Sequence, residues 1–195
     1  MSQYFDEAPA AAHRAGQVEL AVDGRVLTLG TDSGVFSGSR IDPGTAILLD
    51  TLPPPPPAGH LLDLGCGYGP IALHLAVRAP AATVWAVDVN SRARELAAAN
   101  AKAAGLDNVR VCHPDDVPAD LRLSAMASNP PIRIGKQALH DMLRGWLSKV
   151  DGESFLVVQK HLGADSLQRW LEENGRPTTR IRSKKAYRIL RVGSA

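Results

Sequence analysis

From residue 58 onward the chain alternates short apolar runs with amphipathic stretches, and this alternation constrains the fold more than any other feature. Runs at 60–65 (HLLDLG), 82–89 (ATVWAVDV), 108–114 (NVRVCHP), 123–128 (LSAMAS) and 154–159 (SFLVVQ) read as strands. Between them, 70–79, 91–106, 136–150 and 165–174 carry helical periodicity. Ser91 reads as the N-cap of the second helix, Gly105 lies near its end, Asp151-Gly152 reads as a turn, and Gly175 closes the last helix. Two further strands, 178–183 and 187–192, flank Lys184-Lys185 and read as an antiparallel hairpin at one edge. Strand–helix alternation of this kind implies a parallel sheet covered on both faces. Ligands of such sheets bind beyond the carboxyl ends of the strands, near the topological switch point.

The first 57 residues differ in kind. Two alternating runs around Asp23-Gly24 predict a tight hairpin. Asp42 as N-cap and Pro43 at the first helical position predict a short helix, followed by the stiff spacer Pro53 to Pro57. We expect residues 1–57 to form an N-terminal extension (hairpin, loop, short helix, spacer) packed on the same domain as 58–195. Cys66 and Cys112 are the only cysteines, which excludes a disulfide framework or a cysteine-rich zinc site. No signal peptide opens the sequence and no apolar run approaches the ~18 residues of a membrane span, so the expected compartment is the cytoplasm. Net charge is +2, but residues 176–195 hold seven basic residues and no acid. That segment reads either as a polyanion-facing edge or as protection of edge strands against pairing.

The loop LLDLGCGYGPIAL contains Asp63, Gly65, Gly67 and Gly69 as Asp-x-Gly-x-Gly-x-Gly at a strand end. Glycines let the main chain turn tightly and let a ligand approach closely. Pro70 breaks the Gly-x-Gly-x-x-Gly spacing of a pyrophosphate site. Asp88, ending the next strand, can accept from both hydroxyls of a ribose. The pair fits a nucleoside-bearing ligand without a required pyrophosphate.

These residues resemble the class I S-adenosylmethionine (SAM) dependent methyltransferases. The resemblance implies an α/β, Rossmann-like, mostly parallel seven-stranded sheet with helices on both faces. It also implies SAM as cofactor: Asp63, Gly65, Cys66, Gly67 and Gly69 around the methionine part, and Asp88 with Val89 at the ribose. Asp115 or Asp116 would accept from the adenine amino group with Val117 beside it, or else serve as a helix cap or turn. Cys66 reads as a small filler and not as a nucleophile.

Asn129-Pro130-Pro131-Ile132 follows the fourth strand, where such a sheet puts the transferring methyl. An exocyclic amine is a poor nucleophile because its lone pair is delocalised. Acceptors on its two N–H protons orient it and favour the charge it gains on attack. The Asn129 side-chain oxygen and the Pro130 carbonyl supply those acceptors, and the prolines fix where the carbonyl points. This resembles the Asn/Asp-Pro-Pro-aromatic motif of amino-nitrogen methyltransferases, with aliphatic Ile132 in the fourth place. No metal is needed.

From about Val18 to Val192 the chain is similar to the small-domain branch of the small-subunit (16S) ribosomal RNA guanine-N2 methyltransferases. The resemblance implies ribosomal RNA or the small subunit as partner, with Phe36, Gly44 and Thr45 as cofactor contacts, although Phe36 also fits ordinary core packing. Ser124 stands where the family usually carries an acid. Arg133, Lys136, Lys160 and His161 would meet RNA phosphate, or be solvated surface charge; Lys136 also fits a helix start. Other readings stay open: methylation of adenine, of protein glutamine or of a small-molecule amine, or a SAM- or RNA-binding module without turnover. Monomer and homodimer are both compatible with the sequence.

Overall fold

The computed structural model describes residues 15–32 and 40–194. Strands β1 (Ala15–Val22) and β2 (Arg25–Asp32) form an antiparallel hairpin that pairs Val22 with Arg25. Asp23 and Gly24 both take positive φ, 45° and 78°, as a two-residue turn matching strand twist requires. Alternation buries Val18, Leu20, Val22, Leu27 and Leu29. Helix α1 (Pro43–Leu49) starts as its sequence predicts, with the Asp42 carboxylate accepting from Thr45 N at 2.9 Å.

The main sheet holds β3 (Ala58–Leu64), β4 (Ala81–Val87), β5 (Val109–Cys112), β6 (Leu123–Ser128), β7 (Val150–Gln159), β8 (Thr178–Lys184) and β9 (Tyr187–Val192). Its order is β5-β4-β3-β6-β7-β9-β8. The first five are parallel; β9 runs antiparallel between β7 and β8, leaving β8 at the edge. Helices α2 (Pro70–Arg78), α3 (Ser91–Ala103), α4 (Lys136–Leu147) and α5 (Ala164–Glu173) cover the two faces. Period-two alternation decides which residue meets which layer. Leu61, Phe155 and Val157 join α2, α3, α1 and the hairpin in one apolar cluster, whereas Leu62, Leu156 and Val158 join α4 and α5 in the other.

Two local expectations are corrected. The N-cap of α3 is Asn90, whose side chain accepts from Ala93 N at 3.2 Å, and Ser91 is already helical. Asp151-Gly152 is not a turn but part of β7. Arg122 pairs with Asp151, and a Cβ on Gly152 would collide with the Ser124 carbonyl. Gly59 on β3 is equally tight against Ser124 Oγ. The start of β6 is therefore pinched between two glycines, which accounts for its small side chains. Among the described residues no helix is long and apolar enough to cross a membrane.

The sheet has its switch point at β3, with β4 on one side and β6 on the other. Connections leave these strands in opposite directions and open a crevice at their carboxyl ends.

Candidate active site

A cavity of about 400 Å³ occupies that crevice. Its floor is the loop between β3 and α2, where Gly65, Gly67 and Gly69 all adopt positive φ. Gly67 N donates to Asp88 Oδ2 and Asn90 N to Asp88 Oδ1, both at 2.9 Å. Asp88 therefore holds the loop as well as facing the cavity; burial raises its pKa and these main-chain donors oppose the rise. Val89 lines the cavity beside it, 37% exposed, as an apolar platform.

Asp63 lies beneath the loop. Its Oδ2 accepts from Ala72 N at 2.8 Å in the first turn of α2, and its Oδ1 has no partner among the described residues. Burial, followed by the Asp88 charge, lifts its pKa to about 8 against that hydrogen bond. Tyr68 lines the cavity, and its buried hydroxyl also has no partner among the described residues; burial and then the Asp42 charge raise its pKa to about 12. Burial pushes the Cys66 thiol well above its usual range, which disfavours the thiolate. A glycine loop with positive φ, one carboxylate, an apolar platform and the Tyr68 side chain make a cradle that fits a nucleoside-bearing cofactor.

Asn129 faces this cradle from the end of β6. Its Nδ2 donates to Asp42 Oδ2 and to Thr45 Oγ1, each at 3.0 Å. Both amide protons are thus committed to the start of α1, and Oδ1 is the atom left for a ligand. Pro131 has φ −74° and ψ 72°, and Ile132 N donates to the Pro130 carbonyl at 2.8 Å. This is an inverse γ-turn. The Pro130 oxygen keeps one lone pair for a second donor. Ser128 Oγ donates to Leu64 O at 2.7 Å, tying the end of β6 to the glycine-loop strand. Ile132 and Arg133 also line the cavity.

Other residues proposed from the sequence lie elsewhere. Asp115 and Asp116 are exposed on a 3-10 turn, Asp115 beside His113 at 3.5 Å, and Val117 is buried on the α4–α5 side. Of that segment only Pro114 lines the cavity. Gly44 sits under the Tyr187 ring, where a Cβ would come within 2.6 Å of Cε1. Phe36 lies outside the described residues. Lys136 opens α4, and Lys160 and His161 follow β7; all three are exposed and none lines the cavity. Lys160 N donates to Ala186 O at 2.7 Å, which brings the Lys184-Lys185 turn to the same end of the sheet.

Sequence reasoning missed four contributors. Asp42 reads only as a cap, Tyr68 received no role, and Gln159 and Tyr187 read as strand ends. Gln159 and Tyr187 meet across the cavity wall, Gln159 Nε2 donating to the Tyr187 hydroxyl at 3.0 Å. Only the β7–β9 register, which sets Gln159 opposite Tyr187, could have revealed that pair.

The sheet order, with a glycine loop after β3 and an acid after β4, is the α/β Rossmann-like methyltransferase fold. The chain belongs to the methyltransferase small domain family, whose profile matches residues 26–191. It is 35% identical over 194 residues to the uncharacterized protein YbxB of Bacillus subtilis (strain 168), covering 97% of this chain and 96% of that one. It is 34% identical over 146 residues to the ribosomal RNA small subunit methyltransferase C of Pseudomonas aeruginosa (strain LESB58), covering 67% of this chain and 44% of that protein. The T. thermophilus 16S rRNA N2 methyltransferase RsmC, solved with AdoMet and guanosine, superposes with a TM-score of 0.77 at 23% identity. That match covers 96% of this chain and 52% of the other. The chain thus spans about half, or less, of the length of the ribosomal RNA methyltransferases it matches.

Proposed function

We propose that this protein is a SAM-dependent methyltransferase that acts on the exocyclic amine N2 of a guanine in small-subunit ribosomal RNA. The observation that carries the reading is the Asn129 amide. Its nitrogen is used up by Asp42 and Thr45, which leaves its oxygen as an oriented acceptor on a residue that lines the glycine-loop cavity. SAM supplies a methyl group already activated by its sulfonium, so the acceptor amine needs orientation more than deprotonation. Asn129 Oδ1 and the free lone pair of the Pro130 carbonyl accept hydrogen bonds from the two amine N–H groups and stabilise the positive charge that develops on nitrogen. The surplus proton passes to solvent after transfer.

On the cofactor side, the glycine loop carries the methionine part and Asp88 the ribose hydroxyls. With Asp115 and Asp116 exposed, contact with Val89 and Pro114 is assigned to the adenine ring. Ile132 gives the target base an aliphatic wall. Arg133 at the mouth, with Lys136, Lys160 and His161 around it, positions RNA by phosphate contact. A base in folded RNA reaches such a cavity only outside its stack.

Supplying labelled SAM with small subunits, naked ribosomal RNA and protein fractions tests this, with mass-spectrometric mapping of the labelled product. Label at guanine N2 in RNA is expected. Label confined to protein, or on an adenine, overturns the assignment.

A further inference from the structure

We infer that Gln159 and Tyr187 form a base-reading pair that selects a purine with a protonated N1 next to its reactive amine; the inference rests on the guanine-N2 reading above. The glycine loop and Asp88 occupy the β3–β4 side of the cavity, and Asn129 stands at β6. Gln159 and Tyr187 lie beyond Asn129, on β7 and β9. They are on the acceptor's side of the methyl-transfer point. The Tyr187 ring rests on Gly44, between the Asp42 and Thr45 that hold Asn129, so pair and asparagine share one support.

Their chemistry follows from one hydrogen bond. Gln159 Nε2 donates to the Tyr187 hydroxyl, and in this arrangement Oε1 is left as an acceptor. An acceptor beside the reacting amine asks for a donor on the base. Guanine with N2 at Asn129 offers N1–H in the next ring position. Adenine with N6 at Asn129 offers only the acceptors N1 and N7. The remaining proton on Gln159 Nε2, or the Tyr187 hydroxyl proton, can then meet O6. Gln159 faces the cavity because Phe155 and Val157, its period-two predecessors on β7, face the same layer.

The test uses the intact protein with saturating S-adenosylhomocysteine and calorimetric titration of four nucleosides. Guanosine carries both the amine and N1–H. 2-Aminopurine riboside keeps the amine but lacks N1–H, inosine keeps N1–H but lacks the amine, and adenosine carries its amine at C6 instead of C2 and lacks N1–H. Wild type should bind guanosine about tenfold or more tighter than 2-aminopurine riboside. Gln159→Leu should bring those two to within about twofold of each other. Tyr187→Phe, which removes the partner of Gln159 Nε2 but keeps Oε1, should narrow the preference less. Inosine should still respond to Gln159→Leu, which separates this pair from Asn129. Equal binding of guanosine and 2-aminopurine riboside by wild type, or an undiminished preference in a folded Gln159→Leu, overturns the inference while leaving guanine methylation standing. Preference for adenosine, or no guanosine binding at millimolar concentration, overturns both.

Discussion

Asn129→Ala removes one acceptor and leaves Asp42 Oδ2 and Thr45 Oγ1 without the amide they receive. Turnover should fall by roughly 10²- to 10³-fold, as for other lost oriented polar groups at a reacting centre. Cofactor affinity should stay near wild type, because no glycine-loop atom depends on Asn129. Single-turnover assays beside SAM titration check both parts, and unchanged turnover would remove Asn129 from the chemistry. Asp63 makes a different residue-level prediction. Burial raises the pKa of its carboxyl to about 8 in the folded protein, against 3.8 for a freely solvated carboxyl. Between these values the folded state binds more protons than the unfolded one, so this group's contribution to stability is greatest below 3.8 and is lost as pH rises towards about 8. Asp63→Asn cannot ionise. Its melting temperature relative to wild type should therefore climb steadily with pH across this window, measured without cofactor. A pH-independent difference would show that Asp63 is not held neutral.

At the scale of elements, the N-terminal hairpin is joined to the cofactor loop through one side chain. Asn100 on α3 accepts from Gly30 N at 2.7 Å and donates to Gly30 O at 3.0 Å and to Tyr68 O at 2.8 Å. It is 4% exposed, so alanine would deprive one buried and two half-buried main-chain groups of their partner and cost about 1–3 kcal/mol. Because one of those groups belongs to the glycine loop, Asn100→Ala should also weaken SAM binding, whereas a core truncation of similar cost far from the loop should not. Chemical denaturation and cofactor titration of the two variants make the comparison. From sequence, Asn100 is one polar residue in an alanine-rich helix, and its partners lie 70 and 32 residues away. The hairpin itself was legible, since Asp23-Gly24 states its own turn geometry.

Across the whole molecule, tertiary structure redistributes the charge that the sequence displays. The basic C-terminal segment is partly neutralised by the acidic body: Arg180 meets Asp165, Lys184 meets Asp50 and Arg191 meets Glu153, while Arg182 donates to Asp50 O and Thr51 Oγ1. Lys185 stays exposed on its turn, beside exposed Lys160 and His161 and at the same end of the sheet as the cavity. Lys160→Ala and Lys185→Ala should each weaken RNA binding and lower the salt slope by about one. Arg191→Ala should change that slope less, because its guanidinium already faces Glu153. Titrations over a range of salt concentrations measure this, and equal slopes for all three variants would place the RNA elsewhere.

Local chemistry alone determined the layered α/β plan, the glycine loop, Asp88 and the Asn-Pro-Pro stub. Each declares itself within a few residues, through period, φ restriction or a missing N–H. The same local reading misplaced Asp151-Gly152, because a turn-like dipeptide was recruited by a close approach to Ser124 that no neighbour in sequence announces. What only the tertiary structure decided is which atoms of those motifs remain free. Asn129 donates to residues 87 and 84 positions away, Gln159 to one 28 away, and three basic residues are paired with distant acids. A hydrogen bond is a property of two groups in contact, and the sheet order that brings these groups together is set by the packing of the whole chain.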